Sequence, residues 1–173
     1  MRISVVVMLL CVLSGASFAH DSPRLTPQLL ESRNAASGFA ATLKFAVGRA
    51  ARTCRDVLGK DDSYMDAIVN DWLSRNGVYS GAAEKWTSFV VSSIANQQGL
   101  AKGLAARDEV FATVKLDAQK EVDSLLGTTD ADKAKACLNF PALVHSGKLD
   151  ITPSAKLYPE LSELVTNFAS SAP

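Results

Sequence analysis

From Leu29 onward, apolar residues return every three or four positions along nearly the whole chain, and this spacing predicts helices rather than strands. Thr26 before Pro27 reads as an N-cap with proline in the first helical position. The stripe that follows, Leu29, Ala36, Phe39, Ala40, Leu43, Ala46, Val47, Ala50, Cys54, Val57 and Leu58, is one buried face of a long first helix ending at Gly59. Gly38 and Gly48 interrupt its composition; each costs about 1 kcal/mol relative to alanine and marks a place for a kink or a close backbone approach. Ser63 caps a second, short helix with Tyr64, Ile68 and Trp72 at i, i+4 and i+8, and Asn76-Gly77 is its stop.

Ser80 opens a third helix, with Trp86, Phe89, Val90 and Ile94 on its stripe until the pattern falters at Gln97-Gln98-Gly99. A fourth runs from about Leu104 through Phe111, Val114, Ala118 and Val122 to Leu125, closed by Gly127. The periodicity leaves open whether 81–126 is one bent helix or two. Gly99-xxx-Gly103 has a small-xxx-small spacing, which outside a membrane more often marks a break. Thr129 with Asp132 forms a capping-box-like start for a helix carrying Cys137 near its end, before Pro141. Residues 145–156 read as a connecting loop, and Pro159 starts a terminal helix with Leu161, Leu164, Val165 and Phe168 on one side. The expectation is an all-α fold: one compact domain of about five or six helices.

The first nineteen residues follow a different pattern. Arg2 precedes the almost wholly apolar stretch Ile3–Leu13, about 16 Å long as a helix against ~30 Å of bilayer hydrocarbon. Ser17 and Ala19 then occupy the two positions that a signal peptidase inspects, with Ser14 and Ala16 as a second pair. We read 1–19 as a cleaved signal peptide, with cleavage before His20, and 20–173 as a single helical domain. A lipid anchor on Cys11 is disfavoured, because Leu10 stands where a small residue is wanted. No later segment approaches the ~18 uninterrupted apolar residues of a membrane helix, so the mature chain is expected to be periplasmic or secreted, with no transmembrane span.

With export, the cysteines become informative. Cys11 leaves with the leader, and Cys54 and Cys137 remain as the only pair in an oxidising compartment. They are expected to bond, clamping the cysteine-bearing helix to the first one and stabilising the fold by about 4 kcal/mol through loop closure. The alternatives are two buried free thiols or a metal pair.

Charge excludes rather than identifies. Eighteen basic and eighteen acidic side chains become seventeen and eighteen when Arg2 leaves, so the phosphate-binding surplus of a nucleic-acid binder is missing. At 47% apolar and 21% charged residues the chain is no disordered polyelectrolyte either. His20, as a new N-terminus, would offer an amine and an imidazole together, and His145 would complete a copper-binding histidine brace. Zinc on Cys54, Cys137 and His145 lacks the short local spacings of tetrahedral sites. His145 is the only internal imidazole; its neighbour Ser146 makes no triad, and neither a G-x-S-x-G elbow nor a phosphate-cradling glycine loop is present. The carboxylates Asp61-Asp62, Asp66 with Asn70-Asp71, and Asp130 with Asp132 read as solvated faces or helix-start charges. No cofactor and no catalytic residue is indicated.

Recognition is best placed between Tyr64 and Trp86, where Tyr64, Trp72, Arg75, Tyr79 and Trp86 supply the residue types that dominate protein-binding hot spots. The tryptophans fall on helical stripes, which suits a core equally. Arg75 and Tyr79, beside the expected Asn76-Gly77 turn, are the better candidates for an exposed contact, with Trp72 after them. In outline the chain is similar to the small, exported, all-helical, two-cysteine proteins of the Gram-negative periplasm, which include acid-stress chaperones and immunity proteins against wall-degrading toxins. The likeness lies in size, cysteine number and helix content, and it assigns no residue. It implies a protein-binding function, inhibitor-like or chaperone-like, with another envelope or secreted protein as partner. The alternative is a metal-binding or hydrolytic envelope protein using His145 with His20 or a nearby carboxylate.

Overall fold

The long first helix forms as read: α1 spans Pro27–Val57 and buries Ala36, Ala40, Ala46, Val47, Ala50, Ala51 and Cys54, while Val57, counted on the stripe, is exposed. The computed structural model describes residues 27–168, so the expected leader, its cleavage site and His20 lie outside the described residues. α1 passes through Gly38 and Gly48 without interruption, and a Cβ at either would meet nothing. α2 (Asp62–Gln98), α3 (Leu100–Leu126), α4 (Asp130–His145) and α5 (Tyr158–Phe168) complete an all-helical chain with no strand among the described residues.

The expected second and third helices are one. α2 runs through Asn76-Gly77 and Ser80 without a stop, and Asp61 rather than Ser63 caps it, its side chain accepting from the Tyr64 N–H at 3.2 Å. Asparagine favours turns because its side chain competes for nearby backbone groups. Here that side chain is 1% exposed and held by distant partners, so tertiary contacts override the local preference.

The 81–126 stretch is two helices. Gly99, with φ of 95°, lies between them in a conformation that L side chains rarely adopt. Gly103 then lets the start of α3 lie against the end of α2: a Cβ there would stand 2.7 Å from the Ala95 Cβ. The two spaced glycines thus perform separate jobs, a break and a close approach. At the far end of α3, Gly127 caps the helix with its N–H on the Asp123 carbonyl. Thr129 then caps α4 through Oγ1, which accepts from the Asp132 N–H.

Pro141 does not end α4; it lies inside a helix that continues to His145. Proline removes the N–H that would bond the carbonyl four residues back, that of Cys137. Flanking burial of Cys137, Phe140 and Val144 holds the segment helical regardless. Cys54 and Cys137 are joined with their Cα atoms 5.0 Å apart, tying α4 to the end of α1.

Two cores result. One gathers Ala46, Val47, Ala50 and Ala51 of α1 with Ile68 and Trp72 of α2, Ala118, Val122 and Leu126 of α3, and Phe140 and Val144 around the disulfide. The other packs Ala36 and Ala40 against Ala82, Ala83 and Trp86, closed by Ile151 and by Leu161 and Leu164 of α5. α4 and α5, in succession, cover α1 and α2, while α3 packs against α1 and α2. Burying each large side chain stabilises by about 1.5–3 kcal/mol, and the upper half of α3 contributes none between Gly103 and Val114.

Candidate functional site

The aromatic stretch of α2 is interior. Trp72 and Trp86 are each 1% exposed; the Trp72 indole N–H donates to the Leu149 carbonyl at 2.9 Å and that of Trp86 to Asn34 Oδ1 at 2.8 Å. Trp72 is therefore not available as a surface contact.

Arg75 and Tyr79 are half-buried and committed internally. Arg75 donates from Nε to Asp150 Oδ2 at 2.7 Å, from Nη1 to Asp71 Oδ1 at 2.7 Å and from Nη2 to the Val144 carbonyl at 2.6 Å. Asp150, then Asp71, push its pKa further up, which keeps the guanidinium charged. The Tyr79 hydroxyl donates to that of Tyr158 at 3.3 Å, a bond that raises the Tyr79 pKa, and the two rings lie 6.0 Å apart. The turn that recommended these residues as exposed does not exist. They instead fasten α2 to the end of α4, the 146–157 connection and α5.

His145 ends α4 with its side chain 85% exposed and Nδ1 3.5 Å from Asp71 Oδ2. Asp71 and Asp150 are both engaged by Arg75, and Asp150 also accepts from Asn76. This cluster ties helices together and leaves no carboxylate aimed at an open cavity. No group of three or more His, Cys, Asp or Glu side chains arranged to hold a metal occurs among the described residues. The cysteines of the zinc and metal-pair alternatives are bonded to each other and fully buried, which removes both as ligands.

A groove with room for a guest lies where α3 diverges from α1 and α2. It encloses about 580 Å3, within the ~300–1,000 Å3 of small-molecule sites. Ala41 and Phe45 of α1, Ala83 and Val91 of α2, and Val110, Phe111 and Val114 of α3 make its apolar lining. Phe45 and Phe111 meet edge to face, ring centroids 6.5 Å apart, yet remain 38% and 40% exposed.

Hydroxyls close to this lining are satisfied within the protein. Ser37 Oγ bonds the Ala83 carbonyl and the Thr87 hydroxyl, each at 3.0 Å, and Ser80 Oγ bonds back to the Asn76 carbonyl. The walls beside these groups present methyl groups and rings, with the exposed Ser88 and Ser92 toward one end. Charges stand at the margin: Lys44 pairs with Glu84 across α1 and α2 at 2.5 Å, and Arg107 of α3 pairs with its exposed neighbour Asp108. α3 runs back along α2 from Gly99, and the Gly103–Ala95 approach sets its register. Arg107 thus belongs to the Ser88–Ser92 end of the groove and the Lys44–Glu84 pair lies nearer its other end.

The sequence reading did not single out this site. Phe111 sat on the fourth stripe and was expected in the core; Phe45 fell outside the first stripe, and that off-stripe ring was the available signal. Comparison with protein-family models, with curated proteins and with solved structures finds no match to this chain.

Proposed function

We propose that this is an exported, disulfide-clamped binding protein that holds an extended apolar guest in the α1–α2–α3 groove. The observation that carries this reading is the pair Phe45 and Phe111, in mutual contact at the mouth of an apolar groove yet two-fifths exposed. Exposed rings of this size, beside walls that are mostly apolar, gain most from a guest whose groove-filling part carries no polar groups. The disulfide and the Arg75 cluster hold the supporting helices in place beforehand, which reduces the ordering cost of binding. Export is supported by the leader pattern and by the bonded cysteines.

The test is titration with a neutral fluorescent naphthylamine. Saturable one-to-one binding, weakened at least about tenfold in Phe111→Ser and Phe45→Ser variants of unchanged circular dichroism, is the expected result. Absence of saturable binding, or equal binding by both variants, would sink the proposal.

A protein partner from the envelope is favoured by a different observation. Leu100, 70% exposed, and Leu104 lie one turn apart at the start of α3, outside the groove lining. A partner using this face would be retained by the wild type and released by Leu100→Glu.

A further inference from the structure

We infer that the guest is a long-chain carboxylate, bound as a single molecule with its chain along the groove and its acid group at Arg107. This rests on the groove being the binding site and names the chemistry of its ligand. The first argument is shape. α2 borders the groove from Ser80 to Ser92, and twelve residues at ~1.5 Å each give a trough of about 18 Å. That length, with a volume of about 580 Å3, fits one extended acyl chain better than a compact ring system.

The second argument is hydrogen bonding. An extended peptide would bring an N–H and a C=O with every residue, each needing a partner. Ser37, Thr87 and Ser80 are already bonded within the protein, and the exposed Ser88 and Ser92, both toward one end, are too few to pair a backbone along the groove. A polymethylene chain makes no such demand.

The third argument is the distribution of charge. Among the lining residues, Lys44 and Glu84 neutralise each other, which leaves Arg107 as the unbalanced charge. Its present partner is the adjacent Asp108; both side chains are largely exposed, and such pairs exchange at little cost. A guanidinium suits a carboxylate because it donates two parallel hydrogen bonds. Ser88 and Ser92, exposed at the same end of the groove, offer hydroxyl donors beside it. Arg107 and a further cation, Lys115, line an adjoining hollow with Phe111 and the one carboxylate there, Asp108, so its charged lining is two cations to one anion.

The experiment is displacement of the neutral naphthylamine from the full chain by hexadecanoate and by hexadecanol, in wild type and in Arg107→Gln. Hexadecanoate is expected to displace the dye one-to-one, at least about tenfold more effectively than the alcohol, and Arg107→Gln to abolish that preference, read as the ratio of the acid and alcohol midpoints within each protein. Arg107 is exposed, so the variant is expected to fold; circular dichroism checks this. Equal displacement by acid and alcohol, or a preference that survives in Arg107→Gln, would overturn the carboxylate while the groove stands as an apolar site. Displacement only above the concentration at which hexadecanoate self-associates, or only by an amphipathic peptide, would overturn it too. If the dye itself does not bind, both this inference and the groove reading fall.

Discussion

Asn76 and Asp150, 74 positions apart, are joined by a 2.9 Å hydrogen bond from Nδ2 to Oδ1 in the middle of α2's buried face. The same carboxamide donates to the Trp72 carbonyl and accepts from the Ile151 N–H at 2.8 Å, while the other oxygen of Asp150 takes Arg75. One side chain thus fixes where the chain leaving α4 turns toward α5. Asn76→Ala leaves the buried Ile151 N–H without its partner, and the expected loss is about 1–3 kcal/mol by urea unfolding. Asn76→Asp should be worse at neutral pH, since it sets two carboxylates face to face, and should recover on acidification. A loss of a few tenths in the alanine variant would show that the 146–157 connection is anchored elsewhere.

Replacing both cysteines, Cys54→Ala with Cys137→Ala, should lower stability by about 4 kcal/mol, because the bond closes a loop of 83 positions in the unfolded chain. The urea midpoint should fall and the unfolding slope should increase, as a less constrained denatured state exposes more surface. An unchanged midpoint would contradict the entropic account.

Gly103→Ala places a Cβ 2.7 Å from that of Ala95, with the Val91 carbonyl 3.0 Å away on the same helix. Overpacking of this kind costs about 1–3 kcal/mol. Hydrogen exchange should report the damage first at the ends of α2 and α3 around Gly99, ahead of the disulfide-clamped end. Uniform loss of protection would count against a local contact.

Asp61 accepts from the Ser63 hydroxyl at 2.6 Å and from the Tyr64 N–H, and these bonds, Ser63's first, hold its carboxyl below the ordinary value of 3.8. A lowered pKa means that the charged form is favoured by folding. Its contribution is complete above the ordinary carboxylate pKa and is lost as pH falls through the lowered one. Asp61→Asn keeps an N-cap without the charge, so its thermal midpoint should decline less than the wild type's on acidification. Parallel curves would mean that the cap carries no acid dependence.

Phe111→Ala and Phe140→Ala separate site from core. Phe140 is fully buried and its truncation should cost about 3–5 kcal/mol, whereas Phe111 is 40% exposed and should cost well under half of that. Similar losses would place Phe111 in the core and leave the groove without a function.

The helical class, the first helix, the Thr129 cap and the cysteine pair were legible because each rests on local spacing or on counting. Asn76-Gly77, Ser80 and Pro141 carry local signals for stopping or starting a helix, yet each lies within one: Asn76 is held by Asp150 and Ile151 from far along the chain, and burial of Phe140 and Val144 carries α4 through Pro141. Arg75 and Tyr79 were misplaced by the same absent turn. The groove was hidden for another reason: a periodic stripe such as that of α3 states which face is apolar, not whether a neighbour covers it along its whole length. Val114, Ala118 and Val122 are covered; Phe111, on the same stripe, is not.

Cys54 and Cys137 have no accessible surface in the folded protein. Neither an oxidant nor a small reductant can reach them until α4 lifts away from α1. The crosslink must then be made while the polypeptide is still assembling, before the last layer of side chains closes over it. Once closed, it should ignore the redox poise of its surroundings, and its lifetime becomes that of the native packing itself.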